Sequence, residues 1–207
     1  MRKIGALLLF AAAAGAPYAA DAKAPAKHKE PAQQAPWAQE PDGFLGIKFG
    51  QPFPDAATLP DCPKDNFNLT NYAPGFLCFE GYGRTSYGNL WGLPNLGFGY
   101  TVKVMIDKGM VTSFIVETPS DNFAALAKVL TQRYGAPRSQ ESGRVQSKAG
   151  AEFDNTTLKW SGQRVTIDAE MRSGKVDTAQ AYISDKVYWN ARTQAEEKAT
   201  TENASKL

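Results

Sequence analysis

Few residues of this chain have types and spacings that could do chemistry. The only histidine, His28, stands in an Ala-, Pro- and Lys-rich stretch. Ser-His-Asp triads, Cys-His pairs and two-histidine zinc sites each need an imidazole held rigidly beside its partners, so none of these designs fits. No Cys-x-x-Cys, G-x-S-x-G elbow or Walker A loop occurs. Gly81-Tyr82-Gly83 and Gly97-Phe98-Gly99 supply only the first half of a dinucleotide fingerprint and lead into no helical pattern. Carboxylates remain as general acid–base candidates. Asp168 and Glu170 lie two apart on a predicted strand and so point to one side, and glycosidases set two carboxylates about 5–9 Å apart. The apolar residues of that strand (165, 167, 169 and 171) define the opposite face, so the pair is expected on a solvated surface. Glu152 and Asp154 lie in or beside a loop and are read the same way. The residues call for no cofactor and no metal, and they lean away from an enzyme.

A second kind of chemistry, recognition, is concentrated in residues 75–100. Seven glycines alternate there with seven aromatics. Phe76, Phe79, Phe98 and Tyr100 read as core residues flanking a long hairpin. Tyr82, Tyr87 and Trp91, with Arg84 and Asn89 as polar neighbours, read as a contact surface. Tyr and Trp offer large contact area at low entropic cost, and loops carried on a rigid scaffold are frequent binding sites. The partner such a surface suits is an envelope protein or a glycan.

The N-terminus defines where this recognition takes place. Met1-Arg2-Lys3 precede an uncharged apolar run from Ile4 to Ala14, then Gly15 and Pro17, then small residues at Ala19, Ala20 and Ala22. This is the three-part layout of a secretory signal, expected to be cleaved after Ala22 or Ala20. The run falls short of the ~20 apolar residues that span a bilayer, so no transmembrane segment is expected in the mature chain. Periplasmic or secreted localisation follows. In that compartment Cys62 and Cys78, an even pair enclosing 15 residues, are expected to form a disulfide. Charge is nearly balanced, with 23 Lys and Arg against 21 Asp and Glu, which gives no attraction for nucleic acid or an anionic membrane.

The elements that must position these residues follow from periodicity. Residues 1–22 form the signal, 23–41 a flexible Ala/Pro/Lys-rich tether, 42–185 a single domain, and 186–207 a polar, partly helical tail. Within the domain, strands are predicted at 44–49, 76–82, 100–106, 110–118, 156–161, 163–171 and 176–184, with 138–151 as an exposed loop. Phe123, Leu126, Ala127, Leu130 and Tyr134 form one apolar stripe, the signature of an amphipathic helix over about 120–134. Ser120 is the predicted N-cap, and Gly135 and Pro137 stop the helix. Strands, then one helix, then strands give an α+β fold: an antiparallel sheet with the helix packed on one face. The other face is left to solvent or to a partner.

The predicted turns Ser161-Gly162 and Ser173-Gly174 share two residues with the Ser-Gly-x-x-Tyr loop of small β-barrel periplasmic lysozyme inhibitors. Val165 and Asp177 stand where that pattern has tyrosine, so the resemblance covers two residues and assigns no family. The leading expectation is an exported binding module without catalytic machinery. The alternatives are a carboxylate-dependent hydrolase acting on envelope polysaccharide, and an inhibitor of a secreted enzyme such as lysozyme.

Overall fold

The computed structural model describes residues 36–63, 75–204 and 206. The predicted signal, residues 23–35 of the tether, and His28 lie outside the described residues. Eight antiparallel strands form one sheet: β3 (Cys78–Gly81), β4 (Tyr87–Trp91), β5 (Thr101–Asp107), β6 (Met110–Pro119), β7 (Ser139–Gln146), β8 (Glu152–Ser161), β9 (Val165–Glu170) and β10 (Thr178–Asp185). Two short strands, β1 (Gly43–Phe44) and β2 (Ile47–Lys48), make a separate hairpin. Helix α1 (Phe123–Tyr134) joins β6 to β7, and α2 (Lys186–Ala204) follows β10. The spatial order is β3-β4-β5-β6-β10-β9-β8-β7. Two four-stranded meanders are therefore joined through their last strands, β6 and β10, with α1 as the connection. The chain is an α+β protein in which the sheet dominates.

Strict alternation sorts the strands into two faces. Leu90, Val102, Val104, Phe114, Val116, Ile167, Ala169, Ala179, Ala181 and Ile183 all point to one side and are buried there. The buried stripe of α1 (Phe123, Leu126, Leu130 and Tyr134) joins the same core. Alanines at three inward positions of the central strands leave room for a helix to approach. Trp160 fixes the far end of α1 by donating from Nε1 to the Gly135 carbonyl at 2.8 Å.

Several sequence expectations are corrected. The strand predicted over 44–49 is instead the β1–β2 hairpin, because Leu45 and Gly46 adopt φ of 52° and 81° and reverse the chain. Residues 87–91 are a strand, β4. The exposed loop predicted over 138–151 contains β7, a polar edge strand paired with β8 over its whole length. Ser120 does not cap α1. A short 3-10 turn, Ser120–Asn122, opens the helix, and no side chain caps it. The Ser120 hydroxyl accepts instead from Arg172 at 3.3 Å.

The stretch read as a tether meets the domain before its predicted end. Trp37 packs edge-on against Tyr134 and donates to its carbonyl at 2.6 Å. The Glu40 carboxylate accepts from the backbone N–H groups of Gln163, Arg164 and Val165 at 3.1, 2.6 and 2.8 Å. Burial opposes ionisation of Glu40, but these donors and Lys186 outweigh it and hold the carboxyl below its ordinary range.

Candidate binding surface on the open sheet face

The five residues singled out between 82 and 91 divide into two groups. Tyr87, Asn89 and Trp91 alternate outward along β4, while Gly88 and Leu90 are buried. The pairing places Asn89 between Glu80 and Lys103, and Tyr87 beside Met105. Glu80 Oε2 accepts from Trp91 Nε1 at 2.8 Å and from Asn89 Nδ2 at 3.3 Å. The Glu80 contact fixes the orientation of the indole. Tyr82, in the turn between the strands, is 97% exposed and Tyr87 is 60% exposed.

Arg84 belongs to the scaffold. Its guanidinium donates to the carbonyls of Pro54 and Leu59 at 2.8 and 2.7 Å and to Asp61 Oδ1 at 2.5 Å. It also lies over the rings of Phe53 and Phe79, 5.6 and 5.2 Å from their centroids. Only 20% of the side chain remains exposed. Beneath the hairpin, the Phe79 ring fills the space that side chains at 81 and 88 would need: a Cβ at Gly88 would lie 2.3 Å from Phe79 Cε2. The outer edge of β3 is closed by residues 60–62. Phe79 N–H donates to the Pro60 carbonyl at 2.9 Å, and Cys62 N–H to the Phe79 carbonyl at 2.8 Å. The Cys62–Cys78 disulfide locks this contact. Its presence fits an oxidising compartment, and among the described residues no helix is long and apolar enough to cross a membrane.

From β4 the outer face continues as a polar network. Lys103 Nζ pairs with Glu117 at 2.7 Å, Gln180 donates to the other Glu117 oxygen at 2.5 Å, and the Tyr182 hydroxyl donates to Gln180 at 2.9 Å. Burial works against the Glu117 charge, yet the Lys103 and Gln180 donors keep its carboxyl low. Met105 and Ile115 are half-buried among these groups. The first turns of α2 flank the face: Trp189 Nε1 donates to Ser113 at 3.0 Å and the Tyr188 hydroxyl to Asp107 at 2.6 Å.

Asp168 and Glu170 share this face, as alternation predicts. Glu170 Oε1 accepts from Asn155 at 2.9 Å. Asp168, half-buried between Lys159 and Tyr182 in the cross-strand register, has its carboxyl raised by burial, with Lys159 opposing. The Ser161-Gly162 turn faces the protein's own chain: the N–H groups just beyond it bind Glu40, and Lys186 donates to the Gly162 carbonyl at 2.9 Å. Among the described residues no group of His, Cys, Asp and Glu could hold a metal ion. No protein-family model matches the chain, and neither a curated protein nor a solved structure is detectably similar to it.

Proposed function

We propose that this protein is an exported binding module of the periplasm or extracellular space that takes an envelope protein or glycan on the outer face of β3 and β4. The N-terminal charge–apolar–small sequence and the disulfide support the location. The observation that carries the binding role is the contrast between the two sides of one hairpin. The inner side is fixed by Phe79 and Arg84, and the Cys62–Cys78 bridge locks the edge of β3, while Tyr82 and Tyr87 stand in water. Aromatic side chains carried on a backbone that is fixed before binding spare the cost of ordering that backbone on association. Asn89, the Trp91 ring edge and Lys103 supply polar specificity around them.

Capture from an envelope extract tests the reading. Full-length mature protein should retain a partner that Tyr87→Ala loses at least tenfold and Tyr82→Ala weakens, with the thermal midpoint of both variants close to that of the parent. Both side chains are exposed, so neither substitution opens a cavity. Undiminished capture by the folded double variant would show that the partner docks elsewhere or not at all.

A further inference from the structure

On the opposite face of the molecule lies an apolar cavity of about 290 Å3. Its floor is Val116 of β6, and Leu126 and Leu130 of α1 form one wall. Phe44 and Leu45 of the β1–β2 hairpin and Leu96 of the β4–β5 connection enclose it from the outside. Three polar side chains, Tyr100, Arg133 and Tyr134, interrupt this lining. The Tyr100 hydroxyl donates to the Pro94 carbonyl at 2.7 Å, and burial pushes it up to about 12, so it stays a neutral phenol. Arg133, in the last turn of α1, is the one ionised lining residue. Its guanidinium lies over the Tyr134 ring at 5.8 Å, is exposed to solvent, and has no carboxylate within ion-pair distance among the described residues. The wall opposite α1 carries a local conformational cost. Leu45 holds φ 52° in a two-residue turn, a conformation that costs a non-glycine residue about 1–2 kcal/mol and that Asn or Gly would adopt readily. A leucine there gives up turn stability and presents an apolar side chain to the cavity.

From this juxtaposition we infer that the cavity is a binding site for a small single-chain amphiphile with an anionic head, the hydrocarbon lying between α1 and the β1–β2 hairpin and the head meeting Arg133. The volume sets the size of the guest. An apolar protein cavity of ~150 Å3 takes one benzene ring, so 290 Å3 suits roughly ten to twelve carbons and is too small for a two-chain lipid. The charge sets the polarity. A cationic head would be repelled by Arg133, and a neutral one would add no ion pair to the contacts the guanidinium already makes with the Tyr134 side chain and solvent. This site lies across the sheet from the β3–β4 surface, and neither reading depends on the other.

Titration calorimetry on the full mature chain tests the inference, with decanoate, decyl sulfate and decanol as probes below their critical micelle concentrations. Decanoate and decyl sulfate should bind one per chain, and Arg133→Gln should weaken both about tenfold, the equivalent of one charge-assisted contact, while leaving decanol unchanged. Filling the cavity with Val129→Trp, or with Leu96→Trp from the other wall should the first variant unfold, should abolish binding of all three probes. Absence of decanoate binding to the parent protein overturns the proposal, as does undiminished binding to a folded cavity-filled variant. Equal loss of decanol and decanoate in Arg133→Gln overturns the anionic-head assignment.

Discussion

Replacing Arg84 with methionine separates a scaffold role from a binding role, and the structure fixes the size of the effect. Methionine keeps an unbranched stem over Phe53 and Phe79 and removes the guanidinium. Two hydrogen bonds to carbonyls are lost, at 2.8 and 2.7 Å. Hydrogen bonds from charged donors are worth about 1.5–3 kcal/mol each, but residues 55–58 beside these carbonyls are exposed, and water can replace the donor, so about 1 kcal/mol each is the better figure. The two ring contacts add ~0.5–1 kcal/mol apiece. The Asp61 partner is 67% exposed and adds at most ~0.5 kcal/mol. The contacts share one group and do not add fully, which brings the expected cost to about 3 kcal/mol. In thermal unfolding followed by tryptophan fluorescence, that is a midpoint loss of roughly 6–12 °C for a domain of this size. At temperatures where the variant is fully folded, partner capture should stay within about twofold of the parent, because Arg84 faces away from Tyr82 and Tyr87. A variant as stable as the parent, or one of parental stability that no longer captures the partner, would refute the scaffold assignment and return Arg84 to the recognition surface.

Two further outcomes follow from the same contacts. The paired change Cys62→Ala and Cys78→Ala should cost about 3 kcal/mol by loop entropy; with a urea dependence of roughly 2 kcal/mol per molar, the denaturation midpoint should fall by ~1.5 M, and an unmoved midpoint would show that residues 60–62 hold the β3 edge unaided. The Glu40 carboxyl is lower in the folded chain than in the unfolded one, so its contribution is complete above the ordinary glutamate value near ~4.3 and is lost as pH falls through the depressed folded value. Glu40→Gln should therefore be less stable than the parent near neutrality, with the gap closing as the parent is acidified through that window; parallel stability curves down to the acid limb would contradict the tie to the 163–165 backbone.

How much of this was legible in the sequence depended on whether a strand had an apolar face to display. The β5–β6 hairpin and α1 were readable because their inward residues are large and regularly spaced. Strand β4 was hidden because one of its two inward residues is Gly88, a glycine required by the Phe79 ring rather than by a turn. Strand β7, Ser139–Gln146, has no inward apolar row at all; it is held by backbone pairing and by cross-strand charges, Arg144 with Glu152 at 2.8 Å and Lys159 with Glu141 at 3.0 Å. Leu45-Gly46 looks like continuous strand in the sequence because leucine rarely turns a chain. The candidate surface was legible in its aromatics and not in Arg84, whose partners lie 23 to 30 residues earlier in the chain and are brought to it only by the fold. The apolar cavity left no sequence signal, since its lining comes from four separate segments of the chain.

The two meanders about the β6–β10 pair are built alike and finished differently, and the difference bears on where a partner can dock. At the β3 end the edge is covered by residues 60–62 and closed by a disulfide, so strand addition is blocked there and recognition falls to the side chains of the outer face. At the β7 end no further strand pairs with the edge among the described residues, the arrangement that most readily recruits another strand. That edge is guarded by charge: Glu141, Arg144, Glu152 and Asp154 cluster on β7 and its neighbour, each already engaged across the strands, and almost every β7 side chain is exposed. An incoming strand would have to desolvate these pairs while gaining no apolar burial. The outer face divides in the same way. Tyr82, Tyr87 and Trp91 lie on the braced meander beside the Lys103–Glu117 pair, and Lys159, Asp168, Glu170 and Tyr182 lie on the other. A partner that loses little freedom on binding should meet the half already held still. In this molecule that is the β3–β4 hairpin, where Phe79, Arg84 and Cys62–Cys78 fix the backbone beneath the aromatic side chains.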